Sequence, residues 1–288
     1  MKSFTQHKQE VAGYRDVRET VQVLEKIAAG QLHKLQLTAE ALQEYTDTLL
    51  DLMLRIETLA GRPLFSPNAP SVTDHDRELL VVLTGDRGLV GDLWRRQYEL
   101  YESVYKDTAV ELLVIGLRGQ VLWPQGGPHK VEHYSFAERF PTHTELLELA
   151  SVLQHAVRND MFTRVSVLYV EAKSLLVRES AIVSIFPLAP GADLASRHEQ
   201  VKQIGFPIVD VGYEEMAAGL LEKYLVNRLQ QLLMEVALSE FSARTIGLEH
   251  AGAKTEQIIA ETMRQYRRWR RHADTEKQLE RFSSIKAI

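Results

Sequence analysis

Residues 17–56 read VRETVQVLEKIAAGQLHKLQLTAEALQEYTDTLLDLMLRI. Steps of four and three from Val17 reach Val21, Leu24, Ala28, Gln31, Leu35, Thr38, Leu42, Tyr45, Leu49, Leu52 and Ile56. Only Gln31 and Thr38 interrupt this apolar run. A seam kept for about six heptads holds one helix face against a partner helix and imposes a left-handed supercoil. The comparable partner in the chain is the stretch from about Glu214 to the C-terminus. The spacing therefore predicts an antiparallel two-helix coiled coil made from the two chain ends. Such a shaft is a mechanical or assembly element and houses an ordinary active site poorly.

Outward from the seam, the first helix is expected over Gln9–Leu59, ended by Gly61-Arg62-Pro63, with a loop over Ser66–Asp76. Leu79-Leu80-Val81-Val82-Leu83-Thr84 is a short continuous apolar run and reads as a buried strand. Gly85-Asp86-Arg87-Gly88 turns the chain into a helix over Gly91–Thr108, whose apolar residues are Leu93, Trp94, Tyr98, Leu100, Tyr101 and Val104. Glu111–Leu117 is a second buried strand, ended by Arg118-Gly119. Strand, helix and strand joined by short links imply a crossover and a parallel pair. Gly126-Gly127-Pro128 marks a turn. Thr144–Asn159 reads as a helix with Leu146, Leu147, Leu149, Val152 and Leu153 near one face. Arg164–Glu171 and Ser180–Leu188 read as a strand hairpin, followed by a loop to Gln203 and a short extended segment at Pro207–Val211. The last helix is expected over Glu214–Phe282.

The apolar fraction of 45% and charged fraction of 25% are those of a globular protein. A net charge of −5 argues against general nucleic-acid binding. The absence of cysteine excludes disulfides, thiolate metal sites and cysteine nucleophiles. No apolar run approaches the roughly 18 residues of a membrane span, and the first ten residues lack signal or transit character. A cytoplasmic protein that reaches a membrane only through partners is the expectation.

Gly85-Asp86-Arg87-Gly88-Leu89-Val90-Gly91 follows a strand and opens a helix, where many folds bind phosphate. It matches neither Gly-x-Gly-x-x-Gly nor the Gly-x-x-x-x-Gly-Lys-Ser/Thr loop, and it has no lysine to reach a phosphate. A structural turn holding Asp86 and Arg87 in fixed polar contacts is the preferred reading. His129 and His133 are four apart but lie on no expected helix, and His155, His198, His250 and His272 have no ligand-spaced partner, so no metal is expected. Gly247 and Gly252 lie in a small-residue stretch of the last helix and cost about 1 kcal/mol each against alanine. Close helix packing is the expected compensation, a kink the alternative. Tyr266-Arg267-Arg268-Trp269-Arg270-Arg271-His272 is the strongest charge run. It reads as a solvated helix face, a nucleic-acid patch or a basic collar for an acidic partner, and the negative net charge favours the collar over nucleic acid.

Leu83-Thr84-Gly85-Asp86-Arg87-Gly88-Leu89-Val90-Gly91-Asp92-Leu93 resembles the Asp-Arg-Gly-Leu-Cys-Gly-Gly-Leu-Asn stretch of the gamma subunit of F-type ATP synthases. Ile27–Gln36 resembles that family's Val-Ala-Ala-Ala-Lys-Leu-Arg-Lys-Ala-Gln, and Ile115–Gly119 its Gly-Arg-Lys-Gly strand end. Ser239-Glu240-Phe241-Ser242-Ala243-Arg244 resembles its Ser-Glu-x-x-Ala-Arg; Thr275 and Ser283 fall where it has a Thr and a Ser. The order and spacing hold over the whole chain. Gly91-Asp92 stands where the family has Gly-Gly, Val90 where it has Cys, and Ala253-Lys254-Thr255 where it has Asp-Asn-Ala, so the chain looks like a divergent member.

The resemblance implies an α/β fold: a long antiparallel coiled coil of the N- and C-terminal helices with a central Rossmann-like βα domain and a mainly parallel sheet. The parts would be 1–60, 61–212 and 213–288. It implies a non-catalytic central-stalk subunit without cofactor or metal, at the cytoplasmic face of a membrane. Its partners would be alpha and beta subunits, an epsilon-type subunit and the c-subunit ring. By the same resemblance, Arg87, Gly88, Gln31, Lys34, Glu240, Arg244, Arg267, Arg268, Arg270, Arg271 and Thr275 would touch partners. The competing readings are a stand-alone coiled-coil adaptor, a gamma-like subunit of an atypical ATPase-related complex, and an enzyme built on the Gly85–Gly91 turn. For the enzyme, the sequence offers no base, nucleophile or metal set.

Overall fold

The computed structural model describes residues 4–62, 64–65, 77–106, 108–125, 129–137, 140–158, 161–174, 176–187 and 212–286. In chain order the elements are α1 (Phe4–Ala60), β1 (Glu78–Leu83), α2 (Leu93–Tyr105), β2 (Val110–Ile115), α3 (Leu117–Leu122), β3 (Val131–Tyr134), α4 (His143–Arg158), β4 (Arg164–Ala172), β5 (Arg178–Phe186) and α5 (Tyr213–Lys286). The chain forms two compact units. One combines α1 up to Gln31 with α5 from Arg244 onward; the other spans Leu32–Ala243. The expected loops at 66–76 and 188–203, the turn at 126–128, the segment at 207–211 and His198 fall outside the described residues.

The sheet of the larger unit has the order β3-β2-β1-β4-β5. Its first four strands are parallel, and β5 pairs antiparallel with β4 as the expected hairpin. The central strand β1 is apolar on both faces because both are covered, as parallel sheets require. Leu79, Val81 and Leu83 join a core with Leu49, Met53 and Ile56 of α1, Leu146, Leu149 and Leu153 of α4, and Leu225, Leu229 and Leu232 of α5. Leu80 and Val82 meet Tyr101 and Tyr105 of α2 and Trp123 on the other face. Thr142 and Glu145 form a capping box at the start of α4: the Glu145 amide donates to Thr142 Oγ1 at 3.3 Å and the Thr142 amide to Glu145 Oε2 at 2.8 Å. Gly61, at φ +64°, ends α1 in the left-handed conformation that stops many helices.

Three readings of this region change. Arg118-Gly119 does not close a strand; both residues lie inside the short helix α3, because β2 already ends at Ile115. Val131–Tyr134 forms an edge strand too short to show a period in the sequence. Val104 and Val152 face solvent, and Ala150 fills the α4 stripe with Leu146, Leu149 and Leu153.

The α1 seam is also corrected. A heptad line of buried or half-buried positions runs through His7, Val11, Tyr14, Arg18, Val21, Glu25, Ala28, Leu32, Leu35, Ala39, Leu42, Thr46, Leu49, Met53 and Ile56, with Gln31, Leu50, Leu52 and Leu54 also shielded beside it. Half of the expected frame holds: Val21, Ala28, Leu35, Leu42, Leu49 and Ile56. In the other half Leu32, Ala39, Thr46 and Met53 turn inward one residue later; Thr38 and Tyr45 are exposed, while Gln31 and Leu52 stay half-buried, Leu52 packing against the core. Val17, Leu24 and Tyr45 are exposed. Both frames have a heptad period; they differ only in whether three or four comes first. Hydrophobicity alone favoured the wrong one because the true seam includes Arg18 and Thr46, whose polar groups find partners across the helix pair.

In the smaller unit Arg18 pairs with Glu256 at 2.6 Å. A Cβ placed on Gly252 would meet Val21 Cγ1 at 3.7 Å. The residue number falls along α5 as it rises along α1, so the helices run antiparallel. Gly252 therefore faces α1, but a Cβ would fit there in ordinary van der Waals contact, and Gly247 is exposed, so the close packing expected to offset the two glycines is not seen. In the larger unit the Asn227 amide donates to Leu42 O at 3.3 Å and to Thr46 Oγ1, and Thr46 Oγ1 lies 3.3 Å from Gln231 Oε1. Nearer the end of α1, Arg62 pairs with Glu214, which again gives the antiparallel sense.

Candidate functional site

The connections from β1 through β2 to β3 run to one side of β1, while β4 lies on the other. At such a reversal, a crevice outside the carboxyl ends of the strands is the usual ligand site of an open α/β sheet. Here it lies beside Gly85, the first residue of the glycine-containing turn.

The turn is held by main-chain bonds together with side-chain bonds of Thr84 and Asp86 to the main chain. Thr84 donates its amide and its hydroxyl to Ile115 O at 2.9 and 2.8 Å, and its Oγ1 accepts from the Gly119 amide at 2.9 Å. Asp86 Oδ1 accepts from the Leu117 amide at 2.9 Å, and the Arg118 amide donates to Gly85 O at 3.0 Å. The expected fixed role of Asp86 is observed: it ties the β1–α2 turn to the start of α3. Arg87 points to solvent. A Cβ on Gly88 would lie 2.7 Å from Arg118 Nη2, so the glycine leaves room for that guanidinium. Gln97, fully buried on α2, donates to Leu83 O at 2.9 Å and Leu168 O at 3.1 Å, tying β1 to β4 across the reversal.

The crevice is filled by α5. Ser239 Oγ donates to Val170 O of β4 at 3.0 Å. Glu240, 5% exposed, presses its carboxylate against Gly85: a Cβ there would be 2.9 Å from Glu240 Cδ and from Trp94 Cζ2. Arg178, at the start of β5, donates to Ser242 Oγ at 3.0 Å. A phosphate entering beside Gly85 would meet a carboxylate where a phosphate site supplies N–H donors. Burial lowers the Arg178 guanidinium from its ordinary value; Arg96 lowers it further and Asp92 opposes. The Asp92 carboxyl is lowered mainly by the hydrogen bond from Arg96. Farther along β4, burial, with Glu235 and Glu171 adding to it, pushes the Tyr169 phenol up to about 12. The Glu235 carboxyl is raised by burial, against the pull of Arg228.

The residues expected to touch partners do not form one cluster. Arg87 and Gly88 lie on the turn. Lys34 is exposed and Gln31 half-buried on α1. Glu240 turns inward, so its contacts in this structure are within the chain, and Arg244 is also largely buried. Arg267, Arg268, Arg270 and Arg271 are all exposed, while Tyr266 and Trp269 between them are half-buried. At 100° per residue the four arginines span about 160° of the helix, so they cover its outer half and not the full circumference. Thr275 is exposed, its hydroxyl bonded to Arg271 O at 2.8 Å. His133 meets Trp123 O and His129 packs on Tyr101. Among the described residues no group of three His, Asp or Glu could hold a metal, and no helix is long and apolar enough to cross a membrane.

Sequence reading missed Gln97 and Arg178. Gln97 had a signal: it is the one polar residue in the buried stripe Leu93, Trp94, Gln97, Tyr101, Tyr105. Arg178 had none, since its partner Ser242 lies 64 residues away.

A family model described as ATP synthase matches residues 3–288. The chain is 23% identical over 293 residues to the ATP synthase gamma chain of Halothermothrix orenii, covering all of both chains. It is 23% identical to that of Roseiflexus castenholzii, covering 94% of this chain and 93% of the relative. Among solved structures, a chain of the Tetrahymena thermophila mitochondrial ATP synthase central stalk and c-ring superposes with a TM-score of 0.58 at 16% identity, covering 81% of this chain and 99% of that one. A chain of the Euglena gracilis mitochondrial ATP synthase superposes with a TM-score of 0.59 at 11% identity, covering 99% of this chain and 94% of that one. At these identities the two structures speak for the fold: long terminal helices around an α/β domain.

Proposed function

We propose a function from one premise: this chain belongs to the ATP synthase gamma family. It is the central-stalk rotor subunit of an F-type ATP synthase, passing torque between a membrane c-ring and a catalytic head. The observation that carries this reading is a family match over essentially the whole chain, joined to a fold whose two ends pair as antiparallel helices. The chain supplies a shaft, and among the described residues the crevice at the strand ends is closed by Glu240. Inside a ring of alternating alpha and beta subunits, an asymmetric shaft favours a different beta conformation at each angle, which is differential binding to alternative states.

In this reading the paired terminal helices, 1–60 and 213–288, are the shaft, and 61–212 is the part that meets the c-ring and an epsilon-type subunit. Exposed Arg87, Lys34, Arg267, Arg268, Arg270, Arg271 and Thr275, with half-buried Gly88 and Gln31, are its candidate partner contacts. Glu240 and the largely buried Arg244 serve the chain's own packing in the free subunit. The complex works at the cytoplasmic face of its membrane, which the subunit reaches through partners. Nucleotide binds elsewhere in the complex, because Glu240 fills the crevice that would take it. Affinity purification from native membranes tests the proposal: the chain copurifies with alpha- and beta-type subunits and c-subunits. Recovery of the chain without any of them supports the adaptor reading instead.

A further inference from the structure

We propose that the Ser239–Glu240–Ser242 turn of α5 is a clamp that positions the shaft on the α/β domain and carries torque between them. The proposal rests on the rotor function above. A rotor's domain must turn its shaft without letting it slip about its own axis. Apolar ridges resist separation, but they resist sliding poorly unless they interlock. Off-axis hydrogen bonds with fixed directions resist rotation.

Three α5 side chains within one turn reach three different parts of the sheet's carboxyl edge. Ser239 bonds the main chain of β4, Glu240 lies against Gly85, and Ser242 accepts from Arg178 of β5. All three α5 residues are 5% exposed or less. At 100° per residue they span about 160° of the helix circumference. A grip that wide opposes turning in either sense. The parts gripped are themselves joined: Gln97 bonds the main chains of β1 and β4, and β5 is laddered to β4. The only covalent link from the sheet to α5 runs through residues 187–212.

The test is the assembled complex in sealed vesicles carrying the double variant Ser239→Ala, Ser242→Ala. ATP hydrolysis and ATP-driven ion uptake are measured together, without and with an opposing ion gradient. The expected result is uptake per ATP near the parent value without a gradient and a severalfold loss against one, because slip grows with load. A merely structural role would lower assembly or hydrolysis without making the ratio depend on load. An unchanged ratio under load overturns the clamp. If the double variant does not assemble, the two single variants go through the same assay, and parent ratios in both overturn it equally. A chain missing from the parent complex sinks the rotor function itself, an outcome distinct from failure of the clamp alone.

Discussion

Gly116 takes φ +100°, a conformation that costs any residue with a Cβ, and a Cβ there would press on the Thr84 main chain and lie 2.7 Å from Thr84 Oγ1. Gly116→Ala is expected to destabilise the subunit by about 2 kcal/mol or more in urea unfolding. Gly30 is the opposite case, a helix-interior glycine with open space around it. Gly30→Ala should stabilise the subunit by about 0.5–1 kcal/mol; a loss would mean that the position is not helical. Glu235 offers a pH test. Its folded pKa is raised by burial, so the native state holds the proton more tightly than the unfolded chain does. Stability therefore falls as pH rises from the unfolded value through the folded one. Glu235→Gln should raise the melting temperature near pH ~8, with the gain vanishing below about pH 4. Equal gains at both pH values would remove burial of the carboxylate as the cause.

At the scale of elements, the strands of the parallel core and the two long helices were legible because each is long or apolar enough to override its neighbours. The hairpin was legible too, since β4 and β5 are adjacent in sequence. The edge strand β3 and the one-turn-and-a-half α3 were not, because neither spans a full period of its pattern. The coiled-coil partner helix was legible and its contact frame only half so. Hydrophobicity ranks Tyr45 above Thr46, but Thr46 is placed in the seam by bonds to Asn227 and Gln231, which no local pattern records. The frame makes a prediction. Met53→Ala should cost about 2–5 kcal/mol, while Tyr45→Ala, at an exposed position, should stay within about 1 kcal/mol. The reverse order in denaturant titrations would restore the frame read from hydrophobicity. At the crevice, the turn and its lack of a phosphate loop could be read directly. That α5 closes the crevice could not, because the closing residues lie more than 60 positions from the strands they bond.

At the scale of the whole molecule, the four arginines on the outer half of α5 suit a surface that meets acidic loops at more than one angle. Exposed pairs contribute only about 0–1 kcal/mol each, so no single arginine should be indispensable. Replacing Arg267, Arg268, Arg270 and Arg271 together with Gln is expected to lower coupled ATPase and synthesis rates in a salt-sensitive way, without unfolding the subunit. Parent rates at low salt would leave these residues as a solvated face. The pairing of Val21 with Gly252 and of Arg18 with Glu256 has one more consequence. Carried along both helices, that register puts Phe4 opposite roughly Trp269 or Arg270, yet α5 continues to Lys286. Its last four turns or so, about 24 Å, extend past the described start of α1, and residues 274–282 are exposed on every side. A lone helix of that length is only marginally stable in water. Amide deuterium uptake over residues 272–286 should therefore be fast in the free subunit and slow sharply once a surrounding ring sheathes it. The tip then works as a gauge of assembly, its backbone becoming rigid only when its housing is in place; equally fast uptake in the complex would show that nothing encloses it.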